Sequence, residues 1–328
     1  MIQELSIKNF RGIESVEFND LGRVNLIIGG NNTGKTSVLE ALTLLTGDQK
    51  QLQGLPTLFR EVDKNDEWNA FWPFVARNGD VESLRITLNS SARIIYGSHK
   101  KAGFYRTKKV DLEKEDSESL FGPPPQKHPT IDLFNHRIDA PETPCVLRIL
   151  STTQPTPQTT SELFNTAIPA NPENELKLEA LLKASIEPRL KRMRYLKPSG
   201  FKHHIVMVDL GNGTMIPFTQ MGQAFARALH IYCEIFAHNP DILIIDEIEN
   251  GLYHEGLDDF WKGLIQILED QEVQLFATTH SRECMEAANL ANEGMEKPTG
   301  LRYLRLDRAL KQPERIIGTV FDSDIMET

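Results

Sequence analysis

The sequence predicts an α/β fold: a mixed or parallel central sheet around a phosphate-binding loop, an antiparallel N-terminal β-lobe and a compact helical insertion. Three observations predict it. A Gly-rich loop, Gly29-Gly30-Asn31-Asn32-Thr33-Gly34-Lys35-Thr36, lies between an apolar run and a helical stripe. A later run of four aliphatic residues ending at Asp246-Glu247 looks like a buried parallel strand, and another strand candidate, Gln274 to Thr278, ends in a polar turn at Thr279-His280. The opening residues, Ile2 to Phe18, alternate apolar and polar side chains at period two around Gly12, which reads as two half-buried antiparallel strands.

The loop fits G-x-x-x-x-G-K-[ST] without mismatch. At ordinary residue frequencies a chance match in a chain of this length has a probability of about one per cent, and its context lowers that further. Val24 to Ile28 reads as a buried strand, and Ser37 to Leu45 as a helix with Leu39, Leu42 and Leu45 along one side. Strand, loop and helix in this order form a phosphate cradle. Glycines let backbone N–H groups turn toward phosphate oxygens, the helix start adds its dipole, Lys35 reaches the β- and γ-phosphates, and Thr36 ligates Mg²⁺. The nucleotide-binding candidates are Gly29, Asn31, Asn32, Thr33, Gly34, Lys35, Thr36 and Ser37.

Asp241-Ile242-Leu243-Ile244-Ile245 delivers Asp246 and Glu247 to the end of a strand. By position Asp246 holds Mg²⁺ and Glu247 polarises the attacking water. After a helix over Gly256 to Leu268, Gln274 to Thr278 forms another strand, and His280 follows it where it could reach a γ-phosphate.

Between the two halves of this pattern, Leu84 to Leu88, Arg93 to Tyr96 and Cys145 to Leu150 are strand candidates. His99 to Lys109 is basic, Asp111 to Glu118 is acidic, and Gly122 to Pro157 is a Pro-, Thr- and Gln-rich connection. Glu175 to Ile186 carries a helical stripe ended by Pro188. Arg189 to His204 holds six Lys/Arg and no acid, and reads either as a surface for nucleic acid or an acidic partner or as a solvated helix end. Val206 to Asp209 and Met215 to Phe218 flank Gly211-Asn212-Gly213 as a hairpin, and a helix follows to about Ala237 with Thr219 as its N-cap.

The chain has 328 residues, 40% of them hydrophobic and 25% charged, which is globular usage. A formal charge of -10 excludes a body that coats nucleic acid over its whole surface, so any such contact is regional. Cys145, Cys233 and Cys284 form no C-x-x-C pair, which excludes a zinc or disulfide framework and fits a reducing cytoplasm. Neither a signal segment at Met1 to Phe10 nor a run of about 18 apolar residues is expected, so no membrane contact is. One domain is expected over 1–328, with N-terminal strands and P-loop in 1–46, β-lobe and helical insertion in roughly 47–204, and the remaining site strands in 205–328.

In this order the segments "IKNFRGIESVEF", "CVLRILSTTQPT", "LLKASIEPRLKRM", "TQMGQAFARAL", "ILIIDEIENGLYHEGL" and "LFATTHS", with the P-loop, resemble the ABC-type ATPase heads of the SMC, RecF and OLD families. The nearest resemblance is to OLD-like ATPases of phage defence, including the PARIS-type ATPase component. It implies that Thr219, Met221, Gly222 and Gln223 stand in for the signature segment, that Asn250 and Gly251 follow the catalytic acid, that His280 is the switch histidine, and that Arg11 approaches the nucleotide. The signature reads Thr-Gln-Met-Gly-Gln rather than Ser-Gly-Gly, and no glutamine stands out as the Q-loop residue, Gln154 lying in a Pro/Thr-rich loop. Asp322-Ser323-Asp324 is expected to be a tail rather than part of a TOPRIM nuclease domain.

The resemblance implies a cytoplasmic ATPase that takes ATP and Mg²⁺, works as a homodimer or larger homo-oligomer, and controls a separate nuclease or toxin in anti-phage defence. A RecF-like ATPase that binds DNA directly in repair or chromosome maintenance is the alternative. A transporter subunit ranks below both, because it would carry a clear Ser-Gly-Gly signature.

Overall fold

The computed structural model describes residues 1–59, 83–88, 91–96, 103–104, 131–132, 145–151, 155–296, 300–310 and 312–322. The basic and acidic runs between His99 and Glu118, apart from 103–104, together with Gln154 and Asp324, lie outside the described residues. Within it the elements follow as β1 (Leu5–Phe10), β2 (Ile13–Phe18), β3 (Val24–Gly29), α1 (Lys35–Thr46), α2 (Gln49–Leu58), β4 (Ser83–Leu88), β5 (Ser91–Tyr96), β6 (Gly103–Phe104) and β7 (Ile131–Asp132). Then come β8 (Leu147–Leu150), α3 (Pro157–Ala170), α4 (Pro172–Ser185), β9 (Arg192–Leu196), β10 (Ile205–Asp209), β11 (Met215–Pro217) and α5 (Gln223–His238). The series closes with β12 (Ile242–Ile245), α6 (His254–Asp270), β13 (Gln274–Thr278), α7 (Arg282–Glu293), β14 (Leu301–Ala309) and β15 (Gln312–Asp322).

The central sheet is mixed and mostly parallel, six strands in the order β15-β14-β3-β13-β12-β8, as the aliphatic runs required. The chain clusters into two compact units: Met1–Leu147 with Phe276–Thr278 and Arg302–Thr328, and Arg148–Leu275 with Thr279–Leu301.

In the first unit the alternating N-terminus forms an antiparallel sheet in the order β2-β1-β4-β5. Leu5 faces Phe18 and Ile7 faces Val16 in register, and these side chains, with Phe10 and Ile13, are buried. Ile7 also pairs with Ile86 of β4. Gly318 of β15 lies against them, where a Cβ would stand 2.4 Å from Val16 Cγ1. Asp48 and Gln51 close a capping box at the start of α2, and Gln51 Nε2 donates to the Leu147 carbonyl at 2.7 Å.

The second unit is built on packed helices. Tyr232, Phe260, Trp261, Leu264 and Leu268, on α5 and α6, are fully buried, and Trp261 Nε1 donates to Cys284 Sγ at 3.4 Å. Helix α3 begins at Thr156, whose side chain accepts from Thr159 N, with Pro157 in the first turn. The hairpin forms as expected, with Met207 opposite Pro217 and Asp209 opposite Met215. Its turn is fixed by Gly211 N–H on Asp209 Oδ1 (2.8 Å) and Thr214 N–H on Asn212 Oδ1 (3.1 Å).

Two expectations are corrected here. The basic stretch is not a helix end but strand β9, paired along β10 from Leu196↔Ile205 to Arg192↔Asp209, because its alternation buries Met193 while Arg192 and Arg194 point to solvent. Thr219 is not the cap of α5. It falls in a 3-10 turn over Phe218–Gln220, and the helix starts after Gly222 (φ 90) with no side-chain cap.

His230 of α5 is buried at 3% exposure, with Nδ1 3.2 Å from Thr160 Oγ1 and Nε2 facing Glu234. Burial, aided by the charge on Arg227, pushes its pKa down to about 4 from an ordinary 6.5. Between those values the unfolded chain binds the proton and the folded chain does not. The stability gained by burying neutral His230 is therefore complete above pH 6.5 and lost as the pH falls toward 4. Chemical denaturation at pH 7.5 and pH 4.5 should show the wild type losing about 2 kcal/mol more than His230→Gln on acidification. Equal losses would place the acid sensitivity elsewhere.

Candidate functional site

The P-loop lies in the first unit. Strand β3 is buried along Val24, Leu26 and Ile27, and ends at Gly29, whose φ of 144 belongs to glycine alone. A Cβ there would stand 2.2 Å from the carbonyl oxygen of Leu306 on β14. Gly34 (φ 93) is the N-cap of α1, with no side-chain hydrogen bond at the cap. A Cβ on it would stand 3.3 Å from both Ile13 Cγ1 and Ile316 Cδ1. The start of β2 and strand β15 therefore wall in the foot of the loop. Gly30, Asn31 and Asn32 at its tip are exposed.

Three side chains among the described residues bond to carbonyls of the loop. Lys35 Nζ donates to the carbonyls of Gly29 (3.0 Å) and Gly30 (2.8 Å), folding a side chain of 6% exposure over the loop. Thr33 Oγ1 donates to the Gly30 carbonyl at 2.9 Å. Arg308 Nη2, reaching from β14, donates to the Asn32 carbonyl at 2.8 Å. Arg308 is a participant that motif reading missed, since nothing in sequence connects it with a loop 276 residues away. Thr36 is half-buried and Ser37 buried in the first turn of α1. A loop of exposed backbone closed to any Cβ at its foot, leading into a helix start with no side-chain cap, fits a phosphate chain.

Arg11 takes the left-handed conformation (φ 53) in the β1–β2 turn. Its Nη2 donates to Glu40 Oε1 of α1 at 2.9 Å, and Glu40 is wholly buried. The guanidinium thus holds the charge that α1 carries inside the unit. Removing either partner alone would take away a direct contact of a buried charge.

The remaining candidates lie in the second unit. Ile242 to Ile245 are buried throughout, Asp246 is 4% exposed, and its N–H bonds the Leu150 carbonyl at 2.9 Å. Glu247 is half-buried with φ 51, a left-handed conformation uncommon outside glycine and asparagine. The Asn250 N–H closes the following turn on the Glu247 carbonyl (3.0 Å), and Gly251 has φ 84. Strand β13 ends at buried Thr278 and Thr279, and His280 is exposed beyond them. The His280 N–H donates to Glu249 Oε1 at 2.8 Å, which joins the turn after β12 to the turn after β13. Glu249 is a second residue the motifs did not single out. Ser281 caps α7 by accepting from Cys284 N at 3.0 Å.

Thr219, Gly222 and Gln223 are exposed and Met221 is half-buried. A Cβ on Gly222 would meet nothing within 4 Å, so space does not select glycine there; the φ of 90 does. Behind them, Arg227 of α5 is 5% exposed, and its Nε and Nη2 lack hydrogen-bond partners. Burial lowers its pKa, and the carboxylate that opposes this is Glu249.

A family model described as "AAA domain, putative AbiEii toxin, Type IV TA system" matches residues 24–286, from the P-loop strand to the helix after His280. The chain belongs to this AAA-domain family. An "ATP/GTP phosphatase" of Helicobacter pylori is 24% identical over 359 residues, spanning 87% of this chain and 87% of that protein. The "DNA replication and repair protein RecF" of Nitrosococcus oceani is 34% identical over 98 residues, 30% of this chain and 22% of RecF. A stretch of 62 residues is 40% identical to an uncharacterized protein of Methanocaldococcus jannaschii, covering 19% of this chain and 28% of that one. Among solved structures, an SMC head bound to the C-winged helix domain of ScpA shares the fold with a TM-score of 0.56 at 11% identity, covering 100% of this chain and 99% of that one. The likeness to the SMC head shows that this AAA-domain protein shares that fold. No helix among the described residues is long and apolar enough to cross a membrane.

The Gly29 geometry makes a sharp expectation. Gly29→Ala must either push β14 away at Leu306 or unwind the end of β3. The variant should lose at least about 2 kcal/mol of stability and bind nucleotide far more weakly than wild type. Gly54→Ala, in helix α2 with nothing within 4 Å of a Cβ, is the control and should keep nucleotide binding while holding or raising stability. Thermal unfolding and titration with a fluorescent ATP analogue measure both.

Proposed function

We propose that this chain binds and hydrolyses ATP with Mg²⁺, and that its nucleotide cycle controls a separate effector protein in anti-phage defence. The observation that carries the ATPase part is the P-loop, which has no room for a Cβ at Gly29, takes a left-handed turn at Gly34 and has Lys35 already folded over its carbonyls. In this reading the backbone of residues 29–34 holds the phosphates. Lys35 exchanges its contacts with the Gly29 and Gly30 carbonyls for the β- and γ-oxygens. Thr36 and Asp246 are the magnesium ligands, and the ion would offset charge on the phosphates. Glu247 orients and deprotonates the attacking water, and His280 reads the γ-phosphate. Thr219, Met221, Gly222 and Gln223 present an exposed, uncapped helix start to a nucleotide held by a second copy, so the working form is a homodimer or larger. Arg11, paired with Glu40, supports α1 from the β1–β2 turn and reaches the nucleotide only by changing partners.

Two findings support the effector. The family description names a toxin of a type IV toxin–antitoxin system. The SMC head of similar fold is bound to a separate protein, ScpA. The OLD-like and PARIS-type assignment rests on the motif order alone. One finding favours a second reading, a RecF-like ATPase that binds DNA: the 34% identity to RecF over 98 residues. Against a DNA surface at residues 189–202 stands the pairing of its cations. Arg189 meets Glu187, Arg192 meets Asp209 and Arg194 meets Glu175, which leaves Lys191, Lys197 and Lys202 to attract phosphate.

Lys35→Ala should lose ATP binding and hydrolysis together. Glu247→Gln, which keeps shape and loses the base, should bind ATP and fail to cleave it. A Gln variant that hydrolyses ATP at the wild-type rate removes Glu247 from the mechanism.

Co-purification from a host with the native gene neighbourhood, in the Glu247→Gln background with and without ATP, should recover a second protein in one nucleotide state only. A chain that emerges alone in every state, yet binds duplex DNA with affinity falling steeply as salt rises, would replace the effector by the RecF-like reading.

A further inference from the structure

Two turns in the second unit, one bearing Glu247 and the other His280, are joined by the Glu249 side chain. The turn after β12 carries Glu247 and is wound by the Asn250 N–H on the Glu247 carbonyl (3.0 Å) and the Leu252 N–H on the Glu249 carbonyl (2.9 Å). The turn after β13 carries His280, whose N–H is taken by Glu249 Oε1 at 2.8 Å. The bond is to the backbone, so it fixes where the His280 turn sits and leaves the imidazole exposed and able to reorient.

The other oxygen of that carboxylate, Glu249 Oε2, is buried without a partner. So are Nε and Nη2 of Arg227, a guanidinium of 5% exposure in the second turn of α5, five residues from Gly222. Glu249 is the acid whose charge opposes the cost of burying Arg227, and it also faces the Cys284 thiol. An unmatched buried guanidinium costs several kcal/mol. It is tolerated when its charge is answered nearby, and Glu249 answers it without forming a direct hydrogen bond. The pair therefore keeps hydrogen-bonding capacity in reserve: a small shift of α5 that brought Arg227 onto Oε2 would form a charge-assisted bond. It would also pull on the carboxylate that holds the His280 turn.

We propose that Glu249 is the positioning residue that sets His280 against Glu247, and that Arg227 couples this setting to the start of α5. Engagement of the exposed Gly222–Gln223 end would thus be transmitted through the buried Arg227 and the half-buried Glu249 to the turn bearing His280. This rests on the reading of Glu247 and His280 as catalytic.

The test combines steady-state ATPase kinetics, hydrogen exchange at the His280 amide and thermal unfolding in the full chain. His280→Ala serves as the reference. Glu249→Ala should lower kcat by about tenfold or more while KM for ATP stays within about threefold, and should speed exchange of the His280 amide. Glu249→Gln supplies an amide oxygen to the same N–H, so it should keep slow exchange and most of kcat. Arg227→Met should lower kcat, and adding Glu249→Gln should restore part of the loss, because no charge is then left unmatched. Wild-type kcat in Glu249→Ala, with His280→Ala impaired, overturns the proposal and spares the reading of His280. Gln as damaging as Ala in both kcat and amide exchange overturns it too. Full turnover in His280→Ala instead shows that the catalytic reading of His280 is wrong, and the proposal falls with it. If Arg227→Met does not fold, the Glu249 pair of variants decides.

Discussion

The molecule is built around one close approach: strand β3 ends where only hydrogen fits between Gly29 and the Leu306 carbonyl. Neighbouring strands in a sheet can come this near only where no Cβ intervenes, and the φ of 144 turns the next peptides out of the sheet rather than along it. The chain then has only the length of Gly30 to Gly34 in which to reverse into α1. Gly34, packed under Ile13 and Ile316, makes that reversal possible. What results is a row of backbone groups at a helix start, lined on one side by the Lys35 ammonium. The phosphate cradle is thus a consequence of how β3 leaves the sheet.

The parts of the fold that were legible in the sequence are those set by local chemistry. Period-two alternation in the first eighteen residues, the aliphatic run Ile242 to Ile245, the short strand Gln274 to Thr278 and the glycines of the 205–217 hairpin each specify an element almost unaided. Helix α3 was not read, because the Pro, Thr and Gln before it looked like a connection, although Thr156 caps it and Pro157 opens its first turn. Strand β9 was hidden for another reason. Its cations made it look like a solvated surface, whereas Met193 on its inner side and the partner strand β10 decide its state, and pairing is a non-local fact.

The same division runs through the candidate site. The P-loop, Asp246, Glu247 and His280 were visible because each follows a strand at a fixed offset. Arg308, Glu249 and Arg227 were not, because what distinguishes them is a neighbour distant in sequence: Asn32 for Arg308, the His280 amide for Glu249, Glu249 for Arg227. Thr219 was misread because a hydroxyl before a helix is the commonest cap. Here the 3-10 turn ends first and Gly222 makes the entry, which leaves the helix start without a side chain of its own to satisfy it.

Buried charge and backbone strain then separate structural from functional parts. Arg11 and Glu40 are both buried and hydrogen-bonded to each other, the arrangement expected of a pair that stabilises α1. Arg227 and Glu249 differ in making no direct hydrogen bond or ion pair with each other among the described residues, so the carboxylate answers the buried guanidinium only at a distance. Strain follows the same line. Among the described residues six non-glycine positions have positive φ, and Asp20, Asn239 and Glu272 lie in surface turns or helix ends outside the site. The other three are Arg11, Asn32 and Glu247, in the β1–β2 turn, the P-loop and the turn after β12. An arginine and a glutamate gain nothing locally from the left-handed region, whose cost is of order 1 kcal/mol each. They hold it because the turns that carry them are overdetermined by their surroundings, as expected where the direction of a side chain matters more than the comfort of its backbone.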